Sequence, residues 1–235
     1  MQTLNYTPTE RIIVNKTVDR LNYILSKCLN KVVLDLGCFD ETATIKENSG
    51  NYLFEEISKV SSVHIGIDNS SLLPEEGIKF GEKAEILFGS VYDLDKIPAL
   101  ANYNFDVIVA GELIEHLPDT LRFLNDMKRL YSGKKLICST PNTTSLSNIL
   151  LSVFNRESCH IDHLQVYSFK TLTTLCRLAG FKNWAIFPYH VRYTEMIMAA
   201  KQPQKTIVKA SESIINGLEN IFPMMAGGYI LEIEL

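Results

Sequence analysis

The hydrophobic positions of this chain alternate between short apolar runs and longer segments with helical periodicity. The runs are rich in Val, Ile and Leu, as buried parallel strands are, and the early ones end at or beside Asp or Gly. Seven runs predict strands, at 31–36, 63–68, 85–89, 105–111, 134–140, 182–189 and 227–235. Between most of them, apolar residues recur every three or four positions. This alternation predicts an α/β fold with helices on both faces of a mostly parallel sheet.

Turn and capping residues set the ends of the predicted helices. Residues 7–10, Thr-Pro-Thr-Glu, read as a capping box with proline at the first helical position, so a leading helix is predicted to run to about residue 29. Pro118 begins a later helix, and Ser168 caps another that ends at Gly180. These signals place helices between the predicted strands.

No linker or shift in composition divides the chain, and 235 residues suit one domain. We therefore predict a single domain over 1–235. It comprises an N-terminal helix (1–30), a core (31–190), a helical insertion (191–225) and a final strand (226–235).

Charge and cysteine usage exclude several classes of protein. Lys and Arg number 23 against 27 Asp and Glu, for a net charge of −4 without a block of like charge, so neither nucleic acid nor a membrane is expected as a partner. Five cysteines without C-x-x-C pairing indicate neither a disulfide framework nor a zinc site. No signal peptide or membrane span is recognisable, which predicts a cytoplasmic location.

The first candidate site follows the first strand, where Asp35 precedes Gly37. A dinucleotide loop needs further glycines, but Cys38, Phe39 and the acidic residues 40–41 come next. Those acidic groups would repel a pyrophosphate and suit a cationic or zwitterionic ligand. We therefore assign Asp35, Gly37, Cys38 and Phe39 to a cofactor loop in which Asp35 holds an ammonium group, directly or through water. The alternative for Cys38 is a small packed residue.

The ends of the second and third strands supply further candidates. Asp68 ends the second strand, where a carboxylate can accept hydrogen bonds from both hydroxyls of a ribose, and Asn69 follows it. A ribose without a pyrophosphate points to S-adenosylmethionine as the cofactor. Ser90 and Val91 end the third strand, where their hydroxyl and amide groups can read an adenine edge. The alternative is a strand end that merely turns.

Three segments resemble motifs of the class I S-adenosylmethionine-dependent methyltransferases. Residues 105–119, FDVIVAGELIEHLPD, resemble the fourth motif of that family, and residues 136–142 and 159–181 resemble its later motifs. The resemblance covers about 31–190. It implies a Rossmann-like, seven-stranded sheet whose last strand is antiparallel, and methyl transfer from S-adenosylmethionine.

The glycine motif departs from the usual family pattern. Asp35 and Gly37 match the start of D-x-G-x-G-x-G, but the second and third glycines are absent, and the spacing from Gly37 to Asp68 exceeds the roughly 20 residues of the typical fingerprint. This shortening resembles a methyltransferase 11/23-like branch that is often associated with sugar, glycan or natural-product modification. In that branch the extra loop can fold over the cofactor, so Phe39 or Tyr52 is a candidate for an aromatic face beside the sulfonium. The alternative places both rings in the core.

The resemblance also marks residues for the transfer step. His163 matches the family histidine, and His116 lies near the expected methyl group, so either is a candidate base, with a structural hydrogen bond as the alternative. Gly111 and Glu112 are candidates for contacting the methionine end of the cofactor or the substrate. His160 and His163 are two residues apart, but the sequence shows no further ligand near them, so no metal site is predicted.

These observations favour a methyltransferase that acts on a small-molecule or glycan-type acceptor, with oxygen as the expected nucleophile. The protein would mainly contribute alignment and desolvation. One rival is a non-catalytic binding module that has lost the cofactor. A second is a nicotinamide-dependent oxidoreductase, which the missing G-x-G-x-x-G disfavours.

Overall fold

The computed structural model describes residue 9, residues 11–39 and residues 52–235. Within this part of the chain an eight-stranded sheet has the order β3-β4-β2-β1-β5-β6-β8-β7. The strands are β1 Val32–Leu36, β2 Val63–Asp68, β3 Ile78–Phe80, β4 Ala84–Phe88, β5 Val107–Gly111, β6 Lys135–Pro141, β7 Trp184–Tyr189 and β8 Gly228–Glu234.

The pairing confirms the expected Rossmann-like architecture. Strands β4, β2, β1, β5 and β6 pair in parallel, and the last strand, β8, lies antiparallel between β6 and β7. The expected count of seven strands was wrong by one, because β3 pairs antiparallel with β4 at the sheet edge. Its three residues lie between Gly77 and Gly81 and are too short for a recognisable alternation.

Seven α-helices surround the sheet in the described residues. They are α1 Arg20–Cys28, α2 Leu53–Val60, α3 Thr120–Leu130, α4 Leu146–Ser152, α5 Phe169–Leu178, α6 Thr194–Ala199 and α7 Gln204–Ile221. Short 3-10 turns cover 94–96, 98–102, 114–116 and 223–225. The Ser168 cap of α5 is present as a capping box, and Gly180 beyond its end has a φ of +68°.

The leading helix is shorter than the sequence pattern predicted. Residues 11–19 are not helical, and α1 begins at Arg20, where the Asp19 side chain accepts a hydrogen bond from Asn22 N. Val18 instead forms a parallel bridge to Tyr189, and its N–H donates to Pro188 O. Pairing with a sheet edge satisfies this backbone without a helix. The capping box at 7–10 lies outside the described residues except for residue 9.

Two apolar layers cover the faces of the sheet. The larger joins the strands to α3 and α5 through buried residues such as Phe123, Met127 and Leu172. The smaller lies under α1 and α2 and includes Ile24 and Ile57. With both faces covered, the carboxyl ends of the parallel strands form the open edge where ligands bind in such sheets. No helix in the described part of the chain has the length and apolar character needed to cross a membrane.

Candidate active site

The turn after β1 places an acidic side chain and a glycine at the carboxyl edge. Asp35 is 1% exposed, and its Oδ2 lies 3.3 Å from Nε2 of His64 on β2. Gly37 has a φ of +66°, and a Cβ atom built there would lie 2.6 Å from Leu113 Cδ1. Both the left-handed backbone and the close packing therefore require glycine at this turn.

Asp68 joins the end of β2 to the turn after β1. Its Oδ2 accepts a hydrogen bond from Phe39 N at 2.9 Å, and its Oδ1 accepts one from Ser70 N at 2.8 Å. Burial raises the pKa of this carboxyl group, while the backbone hydrogen bonds oppose the rise. Each carboxylate oxygen has a further lone pair beyond these backbone bonds, so the group can also accept ligand hydroxyls.

The side chains of the other candidate residues in the cofactor loop pack into the core, which leaves their backbone groups for a ligand. Cys38 is buried, and burial raises the pKa of its thiol well above the usual value. Its side chain packs in an apolar cluster with Tyr52, so only the Cys38 backbone can serve the ligand role predicted for this residue. Tyr52 is 4% exposed and donates a hydrogen bond to Cys38 O, and Phe39 packs against the same cluster. For Tyr52 the core alternative is the correct one.

The β4 end lies beside Asp68, because Asp68 and Phe88 are paired in the sheet. Ser90 Oγ accepts a hydrogen bond from Tyr92 N at 3.2 Å, and Val91 packs in part against the core. Asn69 is exposed next to Asp68. The fold therefore places all three candidates at one edge with Asp68.

Glu112 follows β5 in an unusual backbone conformation. Its φ is +60°, which is uncommon for a residue with a side chain and often marks a functional site. Tyr189 OH donates a hydrogen bond to Glu112 Oε1 at 2.8 Å, and Glu112 N donates to Ser139 O. At the preceding Gly111, a Cβ atom would lie 2.6 Å from Leu53 Cδ2. The carboxylate of Glu112 is thus anchored at the mouth of the sheet.

Arg20 is a site residue that the sequence did not reveal. Its Nε donates to Ser139 Oγ at 2.9 Å and lies 4.0 Å from Glu112 Oε1. Burial opposes its charge, but Glu112 and the other carboxylates around it hold its pKa above the usual value. Nothing in the periodicity of α1 distinguishes this residue from an ordinary helix arginine.

A cavity of about 450 Å³ opens beside this pair. Arg20, Glu112, Tyr189, Tyr193 and Met196 are among its lining residues. Its volume lies within the range of small-molecule pockets, and its lining mixes charged, aromatic and apolar groups.

A second group of polar side chains lies beyond β5. Glu115, His116 and His163 each offer a ligand atom, and these atoms all lie within 4.8 Å of one another. The backbone explains how distant segments meet, since Leu164 N and Gln165 N both donate to Glu115 O. These bonds set the His163 ring 4.7 Å from the His116 ring, in an edge-to-face arrangement.

Glu115 carries the clearest electrostatic anomaly of the site. Its side chain is 1% exposed, and neither carboxylate oxygen has a hydrogen-bond partner within the described residues. Burial, with the nearby charge of Glu112, raises the pKa of Glu115 to about 8. Burial and the neighbouring His116 and His160 lower the pKa of His163, so its ring is neutral at neutral pH.

A cavity of about 20 Å³ between these groups is large enough for about one water molecule. Glu115, His163, Cys159 and Asn142 are among its lining residues, and Cys159 Sγ lies 3.7 Å from His163 Nδ1. A carboxylate and two imidazoles suit a divalent cation or the hydroxyl of a substrate. Sequence spacing alone did not predict that Glu115 and His116 lie beside His163. The hydrogen bonds from the backbone next to His163 to Glu115 O hold these segments together.

A family model described as a methyltransferase domain matches residues 15–186. The chain belongs to this methyltransferase domain family. The resemblance to class I S-adenosylmethionine-dependent methyltransferases that the motifs indicated is therefore confirmed for the family.

A curated relative matches the chain in sequence over part of its length. A "Ubiquinone biosynthesis O-methyltransferase" from Coxiella burnetii is 30% identical over 128 residues, which cover 52% of this chain and 50% of the relative. The chain thus spans about half the length of this curated relative.

Two solved structures share the fold. An S-adenosylmethionine-dependent methyltransferase from Archaeoglobus fulgidus has a TM-score of 0.53 at 17% identity, covering 91% of this chain and 90% of that one. A "possible histamine N-methyltransferase" from Thermotoga maritima has a TM-score of 0.55 at 14% identity, covering 91% and 86%. The chain therefore shares the Rossmann-like methyltransferase fold with these structures at low sequence identity.

Proposed function

We propose that this protein is an S-adenosylmethionine-dependent methyltransferase that transfers a methyl group to an oxygen of a small-molecule or glycan-type acceptor. The observation that carries the proposal is the presence of two polar groups on either side of β1. Asp68 lies at the end of β2, and Glu115, His116 and His163 lie beyond β5. The first suits a nucleoside, and the second suits the hydroxyl that receives the methyl group.

The residues at the ends of β1, β2 and β4 fit the proposed cofactor. Asp68 accepts the ribose hydroxyls, since its carboxylate is already oriented by two backbone N–H groups. Ser90 and Val91 would border the adenine next to it, and Asp35, which is 1% exposed, would act on the ammonium group of the methionine part through water. When bound, S-adenosylmethionine supplies a methyl group on a positively charged sulfur.

The chain's own contribution to transfer is alignment and removal of a proton. Glu112, oriented by Tyr189, borders the cavity of about 450 Å³ in which an acceptor fits. His163, with His116 edge-on to it, would accept the proton of the acceptor hydroxyl while that oxygen takes the methyl group, the methyl–sulfur bond breaks and the electron pair stays on sulfur.

A second role for the histidine group is favoured by the unpartnered carboxylate of Glu115. With His116 and His163 it offers a carboxylate and two imidazoles to a divalent cation such as Mn²⁺ or Zn²⁺. Such a cation would hold the acceptor oxygen and lower the pKa of its hydroxyl. The two roles differ in one respect that is easily measured, the effect of a chelator.

Oxygen as the nucleophile is supported by the name of the curated relative, which is an O-methyltransferase. Acceptors with a hydroxyl group are therefore the ones to examine, both sugars and other small molecules.

The experiment is transfer of a labelled methyl group from S-adenosylmethionine to catechol and to a disaccharide. It is run on protein treated with EDTA, with and without added Mn²⁺. Methylated product supports the proposal, and a requirement for Mn²⁺ assigns the cation role. Absence of product together with absence of S-adenosylhomocysteine binding would favour the rival reading of a non-catalytic module.

A further inference from the structure

Cys159 is a thiol at the candidate site to which the proposed transfer step gives no role. It is exposed, whereas the other four cysteines of the chain are buried. Its Sγ lies 3.7 Å from Nδ1 of His163, and both residues line the cavity of about 20 Å³. The thiol therefore borders the same small space as the carboxyl group of Glu115.

Two amide side chains at this cavity already have partners. Asn142 Oδ1 accepts a hydrogen bond from Thr144 N, and its Nδ2 donates to backbone carbonyl oxygens. Gln165 Nε2 also donates to a backbone carbonyl oxygen, and its Oε1 accepts from Tyr167 OH. Glu115, in contrast, is 1% exposed, and its carboxyl oxygens have no hydrogen-bond partner among the described residues. A buried polar group of this kind calls for a bound water or ion.

The ring of His116 is oriented in the way that is common for metal-binding histidines. Its Nδ1 lies 3.2 Å from Asp162 O. A carbonyl oxygen only accepts, so Nδ1 donates, and the neutral ring keeps its lone pair on Nε2. A hydrogen bond from one ring nitrogen to a backbone carbonyl typically fixes the imidazole whose other nitrogen binds a metal. His116 thus has one nitrogen held by the backbone and one that can bind a cation.

The spacing of these groups suits the ligands of a zinc ion. Zn–S bonds of about 2.3 Å and Zn–N bonds of about 2.0–2.1 Å set sulfur and nitrogen ligands about 3.6 Å apart in a tetrahedral site. Cys159 Sγ and His163 Nδ1 are 3.7 Å apart. Cys159 extends, on the side of His163, the group in which the ligand atoms of Glu115, His116 and His163 lie within 4.8 Å of one another.

We propose that Cys159 is a zinc ligand, which together with Glu115, His116 and His163 forms a site that selects Zn²⁺ over Mn²⁺. Soft thiolate ligands favour zinc, whereas Mn²⁺ suits oxygen ligands. As the ion binds, the thiol and the carboxyl group release their protons to solvent. This inference rests on the cation role in the proposed function and names the ion that fills it. The sequence did not predict this site, because Glu115 and His116 are distant in sequence from Cys159 and His163.

Cobalt spectroscopy tests the thiolate ligand directly. Co²⁺ can replace Zn²⁺ at such a site, and a bound thiolate adds a charge-transfer band in the near ultraviolet. EDTA-treated protein, kept reduced, is titrated with CoCl₂. We expect this band in the wild type and its loss in Cys159→Ser, which should keep the visible bands of bound Co²⁺. The matched control is His160→Ala, whose ring lies outside the group of three ligands, and its band should remain.

The affinity for two metals gives a second measurement. Cys159→Ser should weaken Zn²⁺ binding by roughly 10- to 100-fold or more, since loss of a hydrogen bond to a ligand already costs that much. Its affinity for Mn²⁺ should match that of the wild type. Competition with a zinc-binding dye measures the first affinity, and electron paramagnetic resonance of Mn²⁺ measures the second.

Bound Co²⁺ without the near-ultraviolet band would overturn the inference and leave a site made of Glu115 and the histidines. Equal losses of Zn²⁺ and Mn²⁺ affinity in Cys159→Ser would overturn it as well, because Cys159 would then only shape the site. If the wild type bound no metal, both the inference and the cation role would fall, and His163 would remain the proton acceptor. These measurements need neither S-adenosylmethionine nor an acceptor, so a failure of methyl transfer is distinguished from a failure of this inference.

Discussion

Asp68 and Glu115 are both buried carboxyl groups near the open edge of the sheet, but they differ in what surrounds them. Asp68 accepts hydrogen bonds from two backbone N–H groups. Neither carboxyl oxygen of Glu115 has a hydrogen-bond partner within the described residues. Burial, together with the nearby charge of Glu112, raises the pKa of the Glu115 side chain to about 8. The Asp68 carboxylate is held by backbone hydrogen bonds, whereas Glu115, which is mostly protonated at neutral pH, has only the weaker influence of Thr140 and its own backbone on its pKa.

The two halves of the proposed site are therefore built differently. Buried polar atoms are almost always satisfied, and one left without a partner costs about 1–3 kcal/mol. The side of Asp68 is thus formed before any ligand arrives. In the proposed function, the side of Glu115 would be completed by what binds there, whether an acceptor hydroxyl or a cation. Changes on the two sides should therefore affect different measurements.

The largest expected effect is on turnover, from His163→Ala. Loss of a proton acceptor or a ligand beside Glu115 should lower the rate of methyl transfer by roughly 10²- to 10⁴-fold. Affinity for S-adenosylhomocysteine should stay the same, because His163 lies on the acceptor side.

The matched control is His160→Ala, whose ring lies 5.7 Å from the His163 ring and outside the group of three ligands. Its rate should remain close to wild type. A His163→Ala variant that loses rate and cofactor affinity together would assign His163 to the structure alone.

Asp68→Ala should weaken the binding of S-adenosylhomocysteine by about 1.5–3 kcal/mol, because charge-assisted hydrogen bonds to the ribose are lost. Calorimetric titration measures this, and removal of the exposed carboxylate in Asp93→Ala is the control. An affinity equal to that of the wild type would remove Asp68 from the cofactor site.

Glu232 differs from both Asp68 and Glu115, because its carboxylate has cationic partners. Burial alone would raise its pKa, but hydrogen bonds from Lys135, Tyr23 and Lys27 lower it to about 2. A lowered pKa in the folded state gives stability above the unfolded pKa of about 4.3, and that stability is lost as the pH falls toward 2.

Glu232→Gln should therefore lower the free energy of unfolding by about 2 kcal/mol at pH 7, and by much less near pH 2. Urea denaturation at a series of pH values measures both. If the difference in unfolding free energy between the wild type and Glu232→Gln did not change with pH, the ion pairs of Glu232 would not account for it.

The smallest effect is expected from Tyr189→Phe. This change removes the donor to Glu112 Oε1 and keeps the ring at the cavity wall. Loss of one hydrogen bond to a charged group should weaken substrate or cofactor binding by roughly tenfold at most. The KM for the acceptor and the KM for S-adenosylmethionine measure this loss. Tyr193→Phe, at the same cavity, is the control.

The sequence predicted the parts of this molecule that follow from local pattern. Apolar runs that end at or beside Asp35, Asp68 and Gly111 predicted parallel strands, and Ser168 as a cap residue predicted a helix start. Periodicity overextended the first helix, because residues such as Val18 pair with the edge of β7, and pairing with a distant strand leaves no local signal.

The site was predictable only where its residues follow strand ends. The approach of His163 to Glu115 depends on backbone bonds across 48 or more positions, and Arg20 reaches Ser139 from a different element. Neither contact has a sequence signature. Cys38 was assigned to the cofactor by its position, but side-chain direction at a turn depends on packing, which here buries the thiol.

The most direct test of the two-sided site is calorimetric titration of S-adenosylhomocysteine into the wild type, Asp68→Ala and His163→Ala. We predict micromolar binding to the wild type, a loss of roughly 10- to 150-fold in Asp68→Ala, and no change in His163→Ala. Equal affinities for the wild type and Asp68→Ala, or a loss in His163→Ala as large as that in Asp68→Ala, would contradict the division between a preformed cofactor side and an acceptor side completed on binding.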